Sequence, residues 1–375
     1  MANLMDYLDW RGDLDFMASP FGEVDNIILS ELIYVDFEGI VPPKGQGEVT
    51  LKRASEMFFA KHTEEEILAK VSGTKMAAFM MQRMAKTKRF GEVRLGNYTN
   101  EVSTDEQSQF CAMTVQLMDG AFCIVYSGTD STMVGWRENF NMSFWPETPG
   151  QLKAVRYLKE VAENNHFPLR VMGHSKGGNL AVYASTHVDR VLMERIQVVY
   201  SNDGPGFSES VISEEQYRFM LPKIHTIIPE SSIVGMLLEH EEEFEVVKST
   251  NSGASQHDVL SWEVLGPSLV HIKSVDEKAI LVNRTLKSWM DKMDNRQRQE
   301  FVETLFGILE EAKIETVDDL ANILPSQLLE IVRLSSSVRR ESQELMRDMA
   351  RALLEEGSKA LKNILFHHSS KEDDV

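Results

Sequence analysis

The stretch Gly173-His174-Ser175-Lys176-Gly177 constrains this chain more than any other, because it fits one local geometry. It follows an apolar strand, Leu169-Arg170-Val171-Met172, and precedes a helical run from Asn179 to Ala184. A Gly-x-Ser-x-Gly pattern in that setting marks a sharp strand-to-helix turn with the serine at its apex. The serine is held in a strained backbone conformation, and its neighbours must lack side chains for strand and helix to approach. The helix N-terminus adds positive potential where an oxyanion would form. Ser175 is therefore the candidate nucleophile, and the competing reading is a glycine-rich turn without chemistry.

The surrounding pattern supplies the sheet that such a turn needs. Residues 110–117 and 121–126 predict a hairpin about Asp119-Gly120, a pair suited to a type I′ turn. That register sets Cys123 opposite Gln116, so no disulfide with Cys111 is expected. Phe122-Cys123-Ile124-Val125-Tyr126 is nearly all apolar, as in a strand buried on both faces. A helix follows over 151–164, with Leu152, Val155, Leu158 and Val161 on one face, and further strands are expected at 196–200, 224–228 and 244–248. Strands alternating with helices predict a mostly parallel sheet covered on both faces, an α/β-hydrolase core over 90–275.

Helical regions flank that core. In the N-terminal segment, 1–89, Thr63-Glu64-Glu65-Glu66 opens a helix as a capping box and Gly73 is placed to end it. A Met- and Ala-rich helix runs over 75–86, and the segment reads as a scaffold packed on the core. In the C-terminal region, 276–375, Val282, Leu286, Trp289 and Met293 share one helix face, and Phe301, Leu305, Ile308 and Ala312 another. A further helix carries Leu345, Met349 and Leu353 before a polar, fraying tail. These amphipathic faces call for burial against protein, either the catalytic core or a second copy of the chain in a homo-oligomer.

Composition narrows the partners. With 39 Lys and Arg against 58 Asp and Glu the formal charge is −19, which disfavours nucleic acid and anionic lipid. No apolar run is long enough to span a bilayer, and no basic-then-apolar leader opens the sequence. With only two cysteines as well, the expected location is cytoplasmic. No His-Glu-x-x-His set and no phosphate-binding glycine loop occurs, so neither metal nor cofactor is expected.

A serine nucleophile needs a general base and a carboxylate to orient it. His187 lies on the turn's own helix, His225 opens a strand, His240 sits in an acidic helical stretch, and His367 and His368 are in the tail. His257 remains, in a loop after the last strand and just before Asp258, with His271 as the alternative. For the acid, Asp203 ends a strand in Asn202-Asp203-Gly204-Pro205-Gly206, where it would otherwise serve only a tight turn. Glu230, after Pro229, is the alternative.

Gly-His-Ser-Lys-Gly-Gly-Asn-Leu-Ala resembles the nucleophile segment of the class 3, fungal-type lipases. Val125-Tyr126-Ser127-Gly128-Thr129, with Trp136 beyond, is similar to the segment carrying that family's oxyanion residue. Asn-Asp-Gly-Pro-Gly-Phe and Gln-His-Asp resemble segments of a related bacterial lipase-like group, and the likeness spans about residues 110–265. It implies that Thr129 donates to the oxyanion from backbone and hydroxyl, and that the Lys176 N–H is the second donor. The lipase aspartate aligns nearer Ser232 than Glu230. Two positions depart from the pattern: 127 is usually Arg, and 176 is usually apolar. The lysine there either favours an anionic substrate group or runs its ammonium to solvent. The implied reaction is hydrolysis of a small-molecule or lipid ester through an acyl-enzyme. A peptidase or acyltransferase with the same triad, or a binding protein that keeps only the fold, are the alternatives.

Overall fold

The computed structural model describes residues 2–69, 73–163, 165–316, 319 and 331. Its centre is an eight-stranded sheet whose spatial order follows the chain. The strands are β1 (Glu48–Thr50), β2 (Arg94–Ser103), β3 (Ser108–Gln116), β4 (Phe122–Tyr126), β5 (Leu169–His174), β6 (Ile196–Asn202), β7 (Ile224–Pro229) and β8 (Phe244–Val247). β1 to β4 pair antiparallel, and every pairing from β4 to β8 is parallel. This is the α/β-hydrolase fold, with a nearly all-apolar β4 buried along its whole length.

Period-two alternation sorts the sheet's side chains between two cores. Cys111, Met113, Val115, Cys123 and Val125 face one core, while Phe110, Ala112, Phe122, Ile124 and Tyr126 face the other. The first core is closed by N-terminal helices: α1 (Leu4–Arg11), α2 (Glu23–Leu32), α3 (Leu51–Phe59), α4 (Glu64–Ala69) and α5 (Met76–Met84). Asp25 of α2 sits buried in a fork from Arg89, with both bonds at 2.6 Å, and takes the Tyr7 hydroxyl at 3.0 Å. Losing one partner of such a buried ion pair costs about 3–5 kcal/mol, so the Arg89 fork on Asp25 fixes where α2 lies.

The second core is closed by later helices. α6 (Met133–Asn141) leaves the β4 loop, and α7 (Pro149–Glu163) and α8 (Lys176–Thr186) pack on the sheet. The short helices α9 (Arg190–Arg195), α10 (Glu209–Ile212) and α11 (Glu215–Met220) follow. Beyond the sheet come α12 (Glu277–Asp291) and α13 (Asn295–Glu311). Phe301, Val302, Phe306 and Ile308 of α13 are buried against Met133, Trp136 and Phe140 of α6 and against Phe144.

Several sequence expectations shift. The N-terminal segment is not wholly helical, since Glu48, Val49 and Thr50 pair with Gly96, Leu95 and Arg94. β2 was not anticipated; its polar middle, from Asn97 to Asn100, hides the alternation and carries a register break between Gly96 and Thr99. The hairpin loop is one residue longer than a two-residue type I′ turn. Leu117 N–H bonds Ala121 O, and Gly120 alone has positive φ there, 84°. Cys123 consequently faces Val115 instead of Gln116, and both cysteines are buried and free. Leu152 is 45% exposed, because α7 buries Ala154, Tyr157, Leu158 and Val161 instead. His240 is not helical; Glu239 beside it bridges Phe207. Gly73 starts a short 3-10 turn, Met293 lies past the end of α12, and Val282 is 40% exposed. The helix expected to carry Leu345, Met349 and Leu353, and the tail, lie outside the described residues.

Candidate active site

Ser175 stands at the C-terminal end of β5, at the centre of the sheet, with φ 58° and ψ −131°. That left-handed backbone is costly for a serine and persists only where its surroundings over-determine it. The determinants are visible. Ser175 N–H bonds Asn202 O at 2.9 Å, and Gly178 N–H bonds Ser175 O at 2.9 Å. A Cβ on Gly173 would lie 2.2 Å from the Gly177 backbone, and one on Gly177 would lie 2.2 Å from Tyr126 O. Only glycine fits either place. α8 starts at Lys176 and is buried throughout, which aims its N-terminal dipole at the serine.

Asp203 follows β6, 1% exposed, and its Oδ2 accepts from His257 Nδ1 at 2.6 Å. Its Oδ1 accepts from the Ser232 hydroxyl at 2.5 Å and from Gly235 N–H at 3.1 Å. Since a carboxylate only accepts, His257 carries a proton on Nδ1, which sets the tautomer whose Nε2 can accept. Among the described residues neither that Nε2 nor Ser175 Oγ is hydrogen-bonded. The His257 loop is fixed by Trp262 Nε1 donating to Gln256 O at 2.8 Å and by Gln256 Oε1 accepting from Ser231 N–H at 2.7 Å.

The two alternatives are placed elsewhere. Glu230 Oε1 meets Gln256 Nε2 at 3.5 Å and does not reach His257. His271 Nε2 bonds Glu23 Oε2 at 2.8 Å. Sequence spacing showed no metal set, yet folding brings Glu23, Glu245 and His271 together, with ligand atoms within 4.8 Å of one another. Ser232, where the lipase aspartate aligns, serves as a donor to Asp203.

Thr129 opens the loop after β4, and its hydroxyl accepts from Asn139 Nδ2 of α6 at 2.7 Å, leaving the hydroxyl proton to give. Lys176 overturns both expectations for its side chain. Its ammonium is buried, 1% exposed, and bonds Gln109 O at 2.5 Å, Gln109 Oε1 at 2.6 Å and Glu138 Oε2 at 2.9 Å. Glu138 also receives N–H bonds from Gln109 at 3.1 Å and Gly150 at 2.8 Å. The stem of Lys176 thus runs into the protein, neither to substrate nor to solvent.

His174, unremarked in the sequence, is wholly buried. Its Nε2 meets His257 O at 2.9 Å and its Nδ1 meets the Tyr34 hydroxyl at 2.9 Å. A carbonyl can only accept, so Nε2 holds the proton and the tyrosine donates to Nδ1. Burial, with His257 adding to it, holds His174 well below the usual histidine range. Tyr34, Asn139 and Glu138 are likewise absent from the sequence reading, because each meets its partner only across the fold, and Ser232 enters there only by alignment.

The Mbeg1-like family model matches residues 84–307, a span that includes Thr129, Ser175, Asp203 and His257 and leaves out α1 to α4. Among solved structures the chain is similar to M37 lipase, at 13% identity and TM-score 0.36, covering 58% of this chain and 69% of that one. It is also similar to lipase II from Rhizopus niveus, at 20% identity and TM-score 0.30, covering 42% and 67%. A third is the native Rhizomucor miehei lipase propeptide complex, at 16% identity and TM-score 0.30, covering 41% and 57%. No curated protein matches the chain. No helix among the described residues is long and apolar enough to cross a membrane.

Proposed function

The chain belongs to the Mbeg1-like family, and from that premise and the site's geometry we propose that it is a serine hydrolase cleaving carboxylic esters. One observation carries the reading: a serine held at φ 58° at a strand-to-helix turn, and a histidine packed on the preceding His174 whose Nδ1 is bonded to a buried aspartate at 2.6 Å. A nucleophile uses that strain, φ 58° with ψ −131°, to present its hydroxyl at the apex of the turn.

Ser175 Oγ attacks the ester carbonyl carbon as His257 Nε2 takes its proton. Asp203 keeps the tautomer and stabilises the imidazolium that forms. The oxyanion is received by the Lys176 N–H and by Thr129, backbone and hydroxyl, whose rotamer Asn139 sets. His257 then protonates the leaving alcohol, and water enters by the same route in reverse to release the acid. The resemblance of the Ser175 and Thr129 segments to those of class 3 lipases favours an acyl ester of a lipid or small alcohol as substrate.

Hydrolysis of p-nitrophenyl esters of graded acyl length tests this. The full chain should turn over at least one of them, and Ser175→Ala should lose about 10⁴-fold or more in kcat. A folded Ser175→Ala protein that hydrolyses at the wild-type rate would refute the assignment.

A further inference from the structure

The N-terminal segment reads in the sequence as scaffold, and the family match begins only near its end, at residue 84. Its helix α2 nevertheless presents a polar stripe to the site. Asn26, Ser30 and Tyr34 follow one another at intervals of four, the spacing of one helix face, with Tyr34 just past the last turn. Asn26 and Ser30 are fully buried, on a helix that also buries Asp25 and Glu31 among its apolar residues. Such groups are kept only where they are bonded.

Their partners share one property. Asn26 and Asn202 exchange amide bonds at 2.8 and 3.1 Å, and Asn202 Nδ2 also bonds Ser30 Oγ at 3.0 Å and Gly173 O at 3.0 Å. Asn202 immediately precedes Asp203. Tyr34 holds His174, which immediately precedes Ser175, and through its ring His174 holds the carbonyl of His257. The Tyr34 hydroxyl also fills the place where Gly128 would carry a side chain, 2.0 Å from the Cβ position. Gly128 immediately precedes Thr129. Four loops that meet nowhere else in sequence are thus gripped by one helix, each at or beside its functional residue.

We infer that Asn26, Ser30 and Tyr34 of the N-terminal segment are positioning residues, and that α2 is the backplate that registers the nucleophile, acid, base and oxyanion loops. The inference rests on the hydrolase reading above. A shift of even about an ångström in one loop is enough to cost rate without costing binding, so the signature is a fall in kcat at constant KM.

The test uses the full chain with a p-nitrophenyl ester and a fluorophosphonate. Tyr34→Phe removes one hydroxyl. It should lower kcat and the labelling rate by about tenfold or more with KM within about twofold. Ser30→Ala carries the same expectation should Tyr34→Phe fail to fold. Tyr7→Phe is the control, since it removes a buried hydroxyl of α1 that bonds Asp25 of α2 and is bonded to none of the catalytic loops. It should reduce stability and leave kcat unchanged. Wild-type kcat in both Tyr34→Phe and Ser30→Ala, or an equal loss in Tyr7→Phe, would overturn the inference while an inactive Ser175→Ala left the hydrolase reading standing. Activity surviving in Ser175→Ala would remove that reading and this one together.

Discussion

Asp203 sits at φ 49° in a tight turn, and its two oxygens collect bonds from His257, Ser232 and Gly235. If it orients the base, Asp203→Asn should lower kcat by orders of magnitude, because an amide there favours the wrong histidine tautomer. Glu230→Gln should change kcat less than about threefold, since the Glu230 side chain bonds Gln256 and, among the described residues, not His257. Steady-state kinetics on the two variants checks the ranking, and the reverse order would move the acid. The sequence left this choice open because it turns on the contact between Asp203 and His257, 54 positions apart. His174 gives a pH signature. The folded protein keeps it neutral through burial, whereas the unfolded chain protonates it near pH 6.5. Its contribution to stability is therefore full above that pH and is lost as pH falls below it. The stability lost in His174→Gln should accordingly be larger at about pH 7.5 than at about pH 5.5 in urea unfolding. A difference that is constant with pH would contradict a buried neutral ring.

The elements that were legible are the ones whose signals are local. The strand before Ser175, the glycines and the helix after it form one contiguous stretch, and β4 announces its burial by composition. Register and facing were harder. One added loop residue moved Cys123 by a place, and Leu152 looked inward only because it shared a periodicity with residues that do. Lys176 was unreadable for a different reason, since its acceptors are Gln109 on β3 and Glu138 on α6. This buried pair ties the turn of α8 to the helix that also holds Thr129 through Asn139. Lys176→Met should leave buried Glu138 without its cation partner, still holding the Gln109 and Gly150 N–H bonds, and should destabilise the protein by about 3–5 kcal/mol in urea unfolding. A solvent-facing lysine would give a change within about 0.5 kcal/mol. Observing the smaller value would contradict the buried placement.

Across the whole molecule, the sheet is a divider between two apolar cores. The N-terminal segment closes one and also supplies Tyr34 to the site, while α13 closes a third cluster over α6. The amphipathic face of α13 was evident from its spacing, but its partner was not, because periodicity says only that a face is buried. Chain termination after residue 275 should uncover Met133, Trp136, Phe140 and Phe144, giving aggregation or dye binding to exposed apolar surface. The acidic polar face of α13, with Glu300, Glu303, Glu310 and Glu311, should keep the separated C-terminal fragment off anionic liposomes. A monomeric, fully active truncation would contradict this packing. The most direct test of the account as a whole is the site of covalent modification. After incubation with a fluorophosphonate, intact mass and peptide mapping should show one adduct, on Ser175, lost in Ser175→Ala and strongly slowed in His257→Ala. An adduct on another residue, or a folded wild-type chain that takes up none, would contradict the assignment of Ser175 as nucleophile.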